Sequence, residues 1–315
     1  MFKARLLALA AISALLTACG GGGQTVPTTP DTGAASSELT RLSTFEARDE
    51  TTGAVVRIFP TRDVISTLGS AERAPLAVSN LTYHGGPIQT APKLYVVFWG
   101  SSWNTTTGDP NGVAAQLKAF YAAIGGSHWL NSVTQYTQTG GAHVGNTGNI
   151  FAGSYVDTSS TPPKRPTQSQ MAAEAVRAAA YFGDYTASAS YVVAMPHGVS
   201  PSGFGTQYCA YHSSVSASGG TIAWTNLPYM TDAGASCGAG SVNSPGTLDG
   251  VTIVSGHEQA ETETDPQPDS GWLDSSSEEN GDKCAWISLE NNPNAGGYPT
   301  QPLWSNASSS CVQTY

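Results

Sequence analysis

The chain has 315 residues, of which only 11% are Asp, Glu, Lys or Arg, against about 25% in an average globular protein. Lys and Arg number 13, Asp and Glu 23, and the formal net charge is −10. This balance excludes a nucleic-acid binder working through a basic face, while 39% apolar residues with 7 Trp, 13 Tyr and 8 Phe exclude disorder over most of the chain.

The N-terminus reads as a secretion signal. Lys3 and Arg5 precede an apolar run from Leu6 to Leu16. That run is shorter than the roughly 20 residues a spanning helix needs. Leu16-Thr17-Ala18-Cys19 then resembles a bacterial lipobox, with Cys19 as the lipidated residue and 1–18 as the cleaved segment. Residues 19–37 are a Gly/Thr/Pro/Ser tether, and 38–80 an N-terminal arm or pro-segment containing one candidate strand, Val55 to Phe59. The expected location is the bacterial cell envelope, with membrane attachment only through the lipid.

With Cys19 set aside, Cys209, Cys237, Cys284 and Cys311 remain, an even number in an exported chain, which favours two disulfides. Local closure favours Cys209–Cys237 with Cys284–Cys311; the other two pairings stay open. No C-x-x-C occurs, so a thiolate zinc knuckle is not indicated.

The compact domain is expected over 81–315. Lys93 to Trp99 is a buried strand between Pro92 and Gly100. Gly112 to Ile124 is a helix with Leu117, Phe120, Tyr121 and Ile124 on one side. Thr167 to Phe182 is a second helix, with a Thr167/Gln170 capping box and Gly183 as its stop. Tyr191 to Met195 is a strand ended by Pro196. Residues 198–246 read as a disulfide-stapled loop region with a short strand at Thr221 to Trp224, and Leu248 to about Glu263 as a third helix stopped by Asp265-Pro266. The expectation is an α/β or α+β single domain with a central sheet flanked by helices and long loops.

The stretch from Thr247 to Trp286 carries the chemistry. On a helix, His257 and Glu261 lie one turn apart on one face, with Glu258 beside them. A metal site needs donors that converge on one point, and a base next to the first ligand then reaches the activated water, as in H-E-x-x-H zinc peptidases. Here Glu261 stands where the second His would be, and Glu278, Glu279 and Asp282 lie at a loop-compatible distance. The reading takes His257, Glu261 and Glu279 as ligands, Asp282 as a further ligand or the group holding His257, and Glu258 as general base. The divalent metal is read as Zn²⁺, with Ca²⁺ or Mn²⁺ as carboxylate-favoured alternatives. Against this stands an exposed acidic helix face with no chemistry.

The pattern H-E-x-x-E-x-x-T-D-P, followed by W-x-D and E-x-G-D-x-C-A-W, resembles the bacterial relatives of the plant EXORDIUM (phosphate-induced protein) family. Tyr83-His84-Gly85-Gly86-Pro87-Ile88, Val96 to Gly100, Tyr208-Cys209-Ala210-Tyr211-His212 and Gln301 to Asn306 also fit, so the resemblance runs from about Leu81 to the end. It implies a secreted, cell-surface or wall-associated protein and delivers no reaction.

His197 follows a strand and precedes a Gly-rich loop, a common place for site residues. It is a candidate to polarise a substrate carbonyl or add a ligand, weighed against a hydrogen-bonded loop histidine; His212 and His84 are weighed the same way. A serine-nucleophile elbow is not expected, since Gly198-Val199-Ser200-Pro201-Ser202 lacks the second Gly. The functional expectation is a monomeric, exported, metal-dependent hydrolase of peptidase type, acting on a peptide or cell-wall substrate. The alternative is a non-catalytic wall-binding protein whose acidic cluster is structural or holds Ca²⁺.

Overall fold

The computed structural model describes residues 39–41, 43–49, 53, 55–68 and 79–315; the expected signal, Cys19 and the tether lie outside them. β1 (Leu39–Arg41), β2 (Glu46–Asp49) and β3 (Val55–Arg57) make a small antiparallel sheet. β4 (Phe59–Pro60) follows, then the short helix α1 (Arg62–Ser66), begun where Thr61 Oγ1 accepts the Val64 N–H. β5 (Thr82–Tyr83) leads to β6 (Lys93–Trp99), whose residues after Lys93 are all buried. Next come α2 (Val113–Ile124), β7 (Phe151–Asp157), α3 (Gln168–Phe182) and β8 (Ala189–Ala194). The β9 (Tyr208–Ala217)–β10 (Gly220–Leu227) hairpin precedes the long helix α4 (Asp249–Thr264), and β11 (Trp272–Leu273) pairs with β5.

The central sheet has six strands in the order β4-β9-β10-β8-β6-β7. β10, β8, β6 and β7 run parallel, while β9 and β4 are antiparallel additions at one side. α3 lies against β8, β10, β6 and β9; α4 lies against β9 and β10 and touches α2. This is the expected mixed α/β fold with helices flanking one sheet. α3 carries the anticipated cap: Thr167 Oγ1 accepts the Gln170 N–H, Gln170 Oε1 accepts the Thr167 N–H, and Gly183 closes the helix at φ 69°.

Three features depart from the sequence reading. β7 is a partly buried edge strand with no strong alternation, and it was not expected. The expected loop region contains the ten-residue β9, whose Ser213, Ser214 and Ser216 hide its strand character. The segment 55–68 is built into the domain: Phe59 and Pro60 pair with Ala210 and Tyr208 of β9. Trp286 Nε1 donates to the Pro60 carbonyl (2.8 Å), and Ser236 Oγ to Asp63 Oδ2 (2.7 Å).

Both locally closed disulfides form, Cys209–Cys237 and Cys284–Cys311. Among the described residues no helix is long and apolar enough to cross a membrane.

Candidate metal centre

All sixteen residues of α4 are buried, so the exposed acidic helix face does not exist. Its polar side chains find partners inside: Thr252 Oγ1 donates to the Pro299 carbonyl (2.7 Å) and Gln259 Nε2 to Glu263 Oε1 (2.8 Å). Gly256 allows the close approach of α2 and its neighbour, since a Cβ there would lie 2.9 Å from the Trp129 ring and 3.0 Å from Phe120. The helix stops at Asp265, whose Oδ1 accepts the Gly271 N–H (2.8 Å) and folds the next loop back.

The loop 278–284 is fastened over α4. Asn280 Nδ2 donates to the Ala260 carbonyl (3.0 Å) and to Thr264 Oγ1 (2.7 Å). Gln301 Nε2 reaches the Gly281 carbonyl (2.7 Å), and the Asp282 N–H donates to Glu261 Oε1 (2.8 Å). That last bond fixes the Glu261 carboxylate and leaves Oε2 for other partners. Gly281 is pressed against the site: a Cβ there would lie 2.6 Å from His257 Nδ1 and 2.9 Å from Glu261 Oε1.

Two trios of donor atoms result, each with all atoms within 4.8 Å of one another: His257/Glu261/Asp282 and His212/Glu258/Glu261. His257 Nε2 is 3.1 Å from Glu261 Oε2 and 3.7 Å from Asp282 Oδ1. His212 Nδ1 is 3.4 Å from Glu258 Oε2 and 3.8 Å from Glu261 Oε2. Glu279 is in neither trio; its Oε1 lies 3.6 Å from His212 Nε2. None of these residues is more than 2% exposed. The structure thus brings together five residues expected in the site (His257, Glu258, Glu261, Glu279 and Asp282), placing Asp282 rather than Glu279 beside His257. It adds His212, which the sequence offers as a candidate weighed like His197 and outside the ligand set.

His212 arrives from β9, a strand against which α4 packs. Its Nε2 is 3.2 Å from the Asp265 carbonyl, which only accepts, so Nε2 carries a proton and Nδ1 faces Glu258 and Glu261. Donor atoms facing one another in this way are satisfied by a proton or by a cation between them. His257 Nδ1 and Nε2, Glu258 Oε1 and both Glu279 oxygens make no hydrogen bond, although such buried groups almost always do. These unpartnered donors fit a divalent cation. Burial pushes Glu258, Glu279 and Asp282 well above the ordinary carboxylate range, and the nearby Glu261 carboxylate pushes each further. Asp265 rises to about 6 through burial, against the pull of His212 and the Gly271 N–H.

Phe59 closes the site from the N-terminal side. Its ring stacks on His257 (centroids 3.9 Å, planes 13° apart) and on Trp286 (4.6 Å). An apolar cleft of about 320 Å³, lined by Phe45, Ile65, Asp282, Trp286, Ile287 and Trp304, abuts the site at Asp282.

His197 is in neither trio. It is half-exposed in the segment after β8, where its backbone N–H donates to the Gly108 carbonyl (2.9 Å). Its Nδ1 is 2.5 Å from Asp232 Oδ1, and the Gly198 N–H donates to Asp232 Oδ2 (2.8 Å). The structure makes it an Asp-held histidine outside the trios.

Sequence reasoning also passed over Gly234-Ala235-Ser236-Cys237-Gly238, which does have the G-x-S-x-G spacing. It lies in a 3-10 turn, its Cys237 is in a disulfide and Ser236 Oγ is bonded to Asp63, so no strand-turn-helix elbow exists there. No family model, curated protein or solved structure matches this chain.

Proposed function

We propose that this chain is an exported, lipid-anchored metalloprotein of the cell envelope, and a metal-dependent hydrolase of peptidase type. The observation that carries the reading is the convergence of His257, Glu261 and Asp282, with His212 and Glu258 on the other side of Glu261, all buried, and with both His257 nitrogens and Glu258 Oε1 making no hydrogen bond. A bound divalent cation supplies Lewis-acid activation of a carbonyl and of water. The Asp282 N–H orients Glu261. Glu258 Oε1, without a hydrogen bond, is placed to take a proton, and burial raises its affinity for one. The apolar cleft at Asp282 suits a peptide with an apolar side chain. The disulfides agree with an oxidising, exported setting.

Complete burial favours a second reading, in which the cation staples the fold and performs no chemistry. Metal content of the purified protein and of Glu261→Ala tests the shared part: metal lost with the substitution supports the site, and none in either sample overturns it. Cleavage of a peptide library by wild type and by folded Glu258→Gln separates the two. Cleavage lost with Glu258→Gln supports the hydrolase, while no cleavage by either leaves the structural cation.

A further inference from the structure

The cluster offers more donors than one cation would take, because its two trios share only Glu261. Glu258, Glu261, Glu279 and Asp282 bring four carboxylates into a volume sealed from water, and both histidines are neutral donors or cations only by taking a proton. Basic side chains nearby are committed elsewhere. Arg57, whose charge reaches Glu279 and Asp282, donates through Nε to Asp269 Oδ1 (2.8 Å) and through Nη1 to Glu46 Oε1 (2.7 Å). Lys283 is paired with Asp274 Oδ2 (2.7 Å).

The geometry is that of two overlapping sets sharing Glu261. Donors around one transition metal at about 2.0–2.2 Å lie at most roughly 4.4 Å apart, so each trio, already within 4.8 Å, matches one ion after a small contraction. We infer that this is a two-cation centre bridged by Glu261. One ion sits on His257, Asp282 and Glu261; the other sits on His212, Glu258 and Glu261, with Glu279 beside it. Two divalent charges then balance four carboxylates. The inference rests on the metal reading above and deepens it. Glu258 binds through Oε2, leaving Oε1 as the proton acceptor already assigned. Two ions held side by side would supply a clamp for both the attacking and the leaving oxygen of a hydrolysis.

The test uses the full chain, stripped with chelator and reloaded with Mn²⁺ alone or Zn²⁺ alone, with free ion removed. Bound metal is counted by mass spectrometry, and the Mn²⁺ form is examined by electron paramagnetic resonance. Two ions per chain and a spin-coupled manganese spectrum are expected. His212→Ala and Asp282→Asn, each confirmed folded by circular dichroism, should fall to one ion with an uncoupled six-line spectrum. One ion per wild-type chain, uncoupled, overturns the two-cation centre and leaves the metal reading standing. No ion overturns both. Two ions in wild type and in both variants places the metals elsewhere and also overturns the inference.

Discussion

Phe59 lies flat on the imidazole of His257, 3.9 Å between ring centroids, although the two residues are far apart in the chain. The contact makes the N-terminal segment one wall of the candidate metal centre. β4 is held there by pairing with β9, the strand that also carries His212. One strand thus positions one candidate ligand and the cover of another.

Phe59→Ala should therefore act twice. It removes a ring 1% exposed, which costs about 3 kcal/mol in urea unfolding. It also opens His257 to water, so chelator should strip the metal roughly ten-fold faster, local opening being the gate to buried ligands. Unchanged stripping kinetics in a destabilised variant would show that Phe59 packs without covering.

Metal removal should lower stability in a concentration-dependent way. A ligand at 100 times its Kd adds about 2.7 kcal/mol to the folded state, a shift of roughly 5–10 °C for a chain of this size. Calorimetry with graded Mn²⁺ or Zn²⁺ checks this, and a Tm indifferent to both ions and to chelator contradicts a buried site.

The helix bearing His257 was legible because Leu248, Val251, Ile253 and Val254 lead into H-E-x-x-E and Asp265-Pro266 ends it. Its total burial was not. Thr252, Ser255, Gln259 and Thr262 are polar, yet each meets a partner that only tertiary structure supplies or turns back on its own helix. His212 was illegible for a related reason. Its strand is serine-rich and reads as loop, and only sheet topology brings it to α4. The exchange of Glu279 for Asp282 beside His257 follows from one backbone bond, Asp282 N–H to Glu261, which no spacing rule encodes.

Gly281→Ala should damage the site although the backbone there, at φ −80°, tolerates any residue. The new methyl meets His257 Nδ1 at 2.6 Å, so either the ring or the loop must move. Overpacking of this kind costs about 1–3 kcal/mol. Metal affinity should fall with it, and retained affinity in Gly281→Ala would mean that the loop yields freely.

The two histidines that sequence reasoning weighed alike should separate. His212→Ala is expected to weaken metal binding by at least about ten-fold, the usual scale for losing a ligand or its support. His197→Ala, whose ring is held by Asp232 outside both trios, should leave metal content unchanged. Equilibrium dialysis of both variants distinguishes them.

Away from the centre, Glu174 on α3 gives a pH-dependent contribution with a definite sign. Its side chain is fully buried beside Ser160 and pairs with Arg177. Burial, and then the hydrogen bond with Asp157, raise it to about 7 against the pull of Arg177. Burial also works against Asp157, but two hydrogen bonds from Ser159 outweigh it and hold that carboxyl below its usual value. Between the ordinary glutamate value of 4.5 and about 7, the folded chain binds a proton at Glu174 that the unfolded chain has released. Stability from this group is therefore greatest below 4.5 and falls as pH rises through 7, by on the order of 1–3 kcal/mol. Glu174→Gln removes the proton from the balance, so the variant should gain on wild type steadily between pH 5 and pH 8 in urea unfolding. Parallel stability curves across that range would mean that Glu174 ionises at its ordinary value.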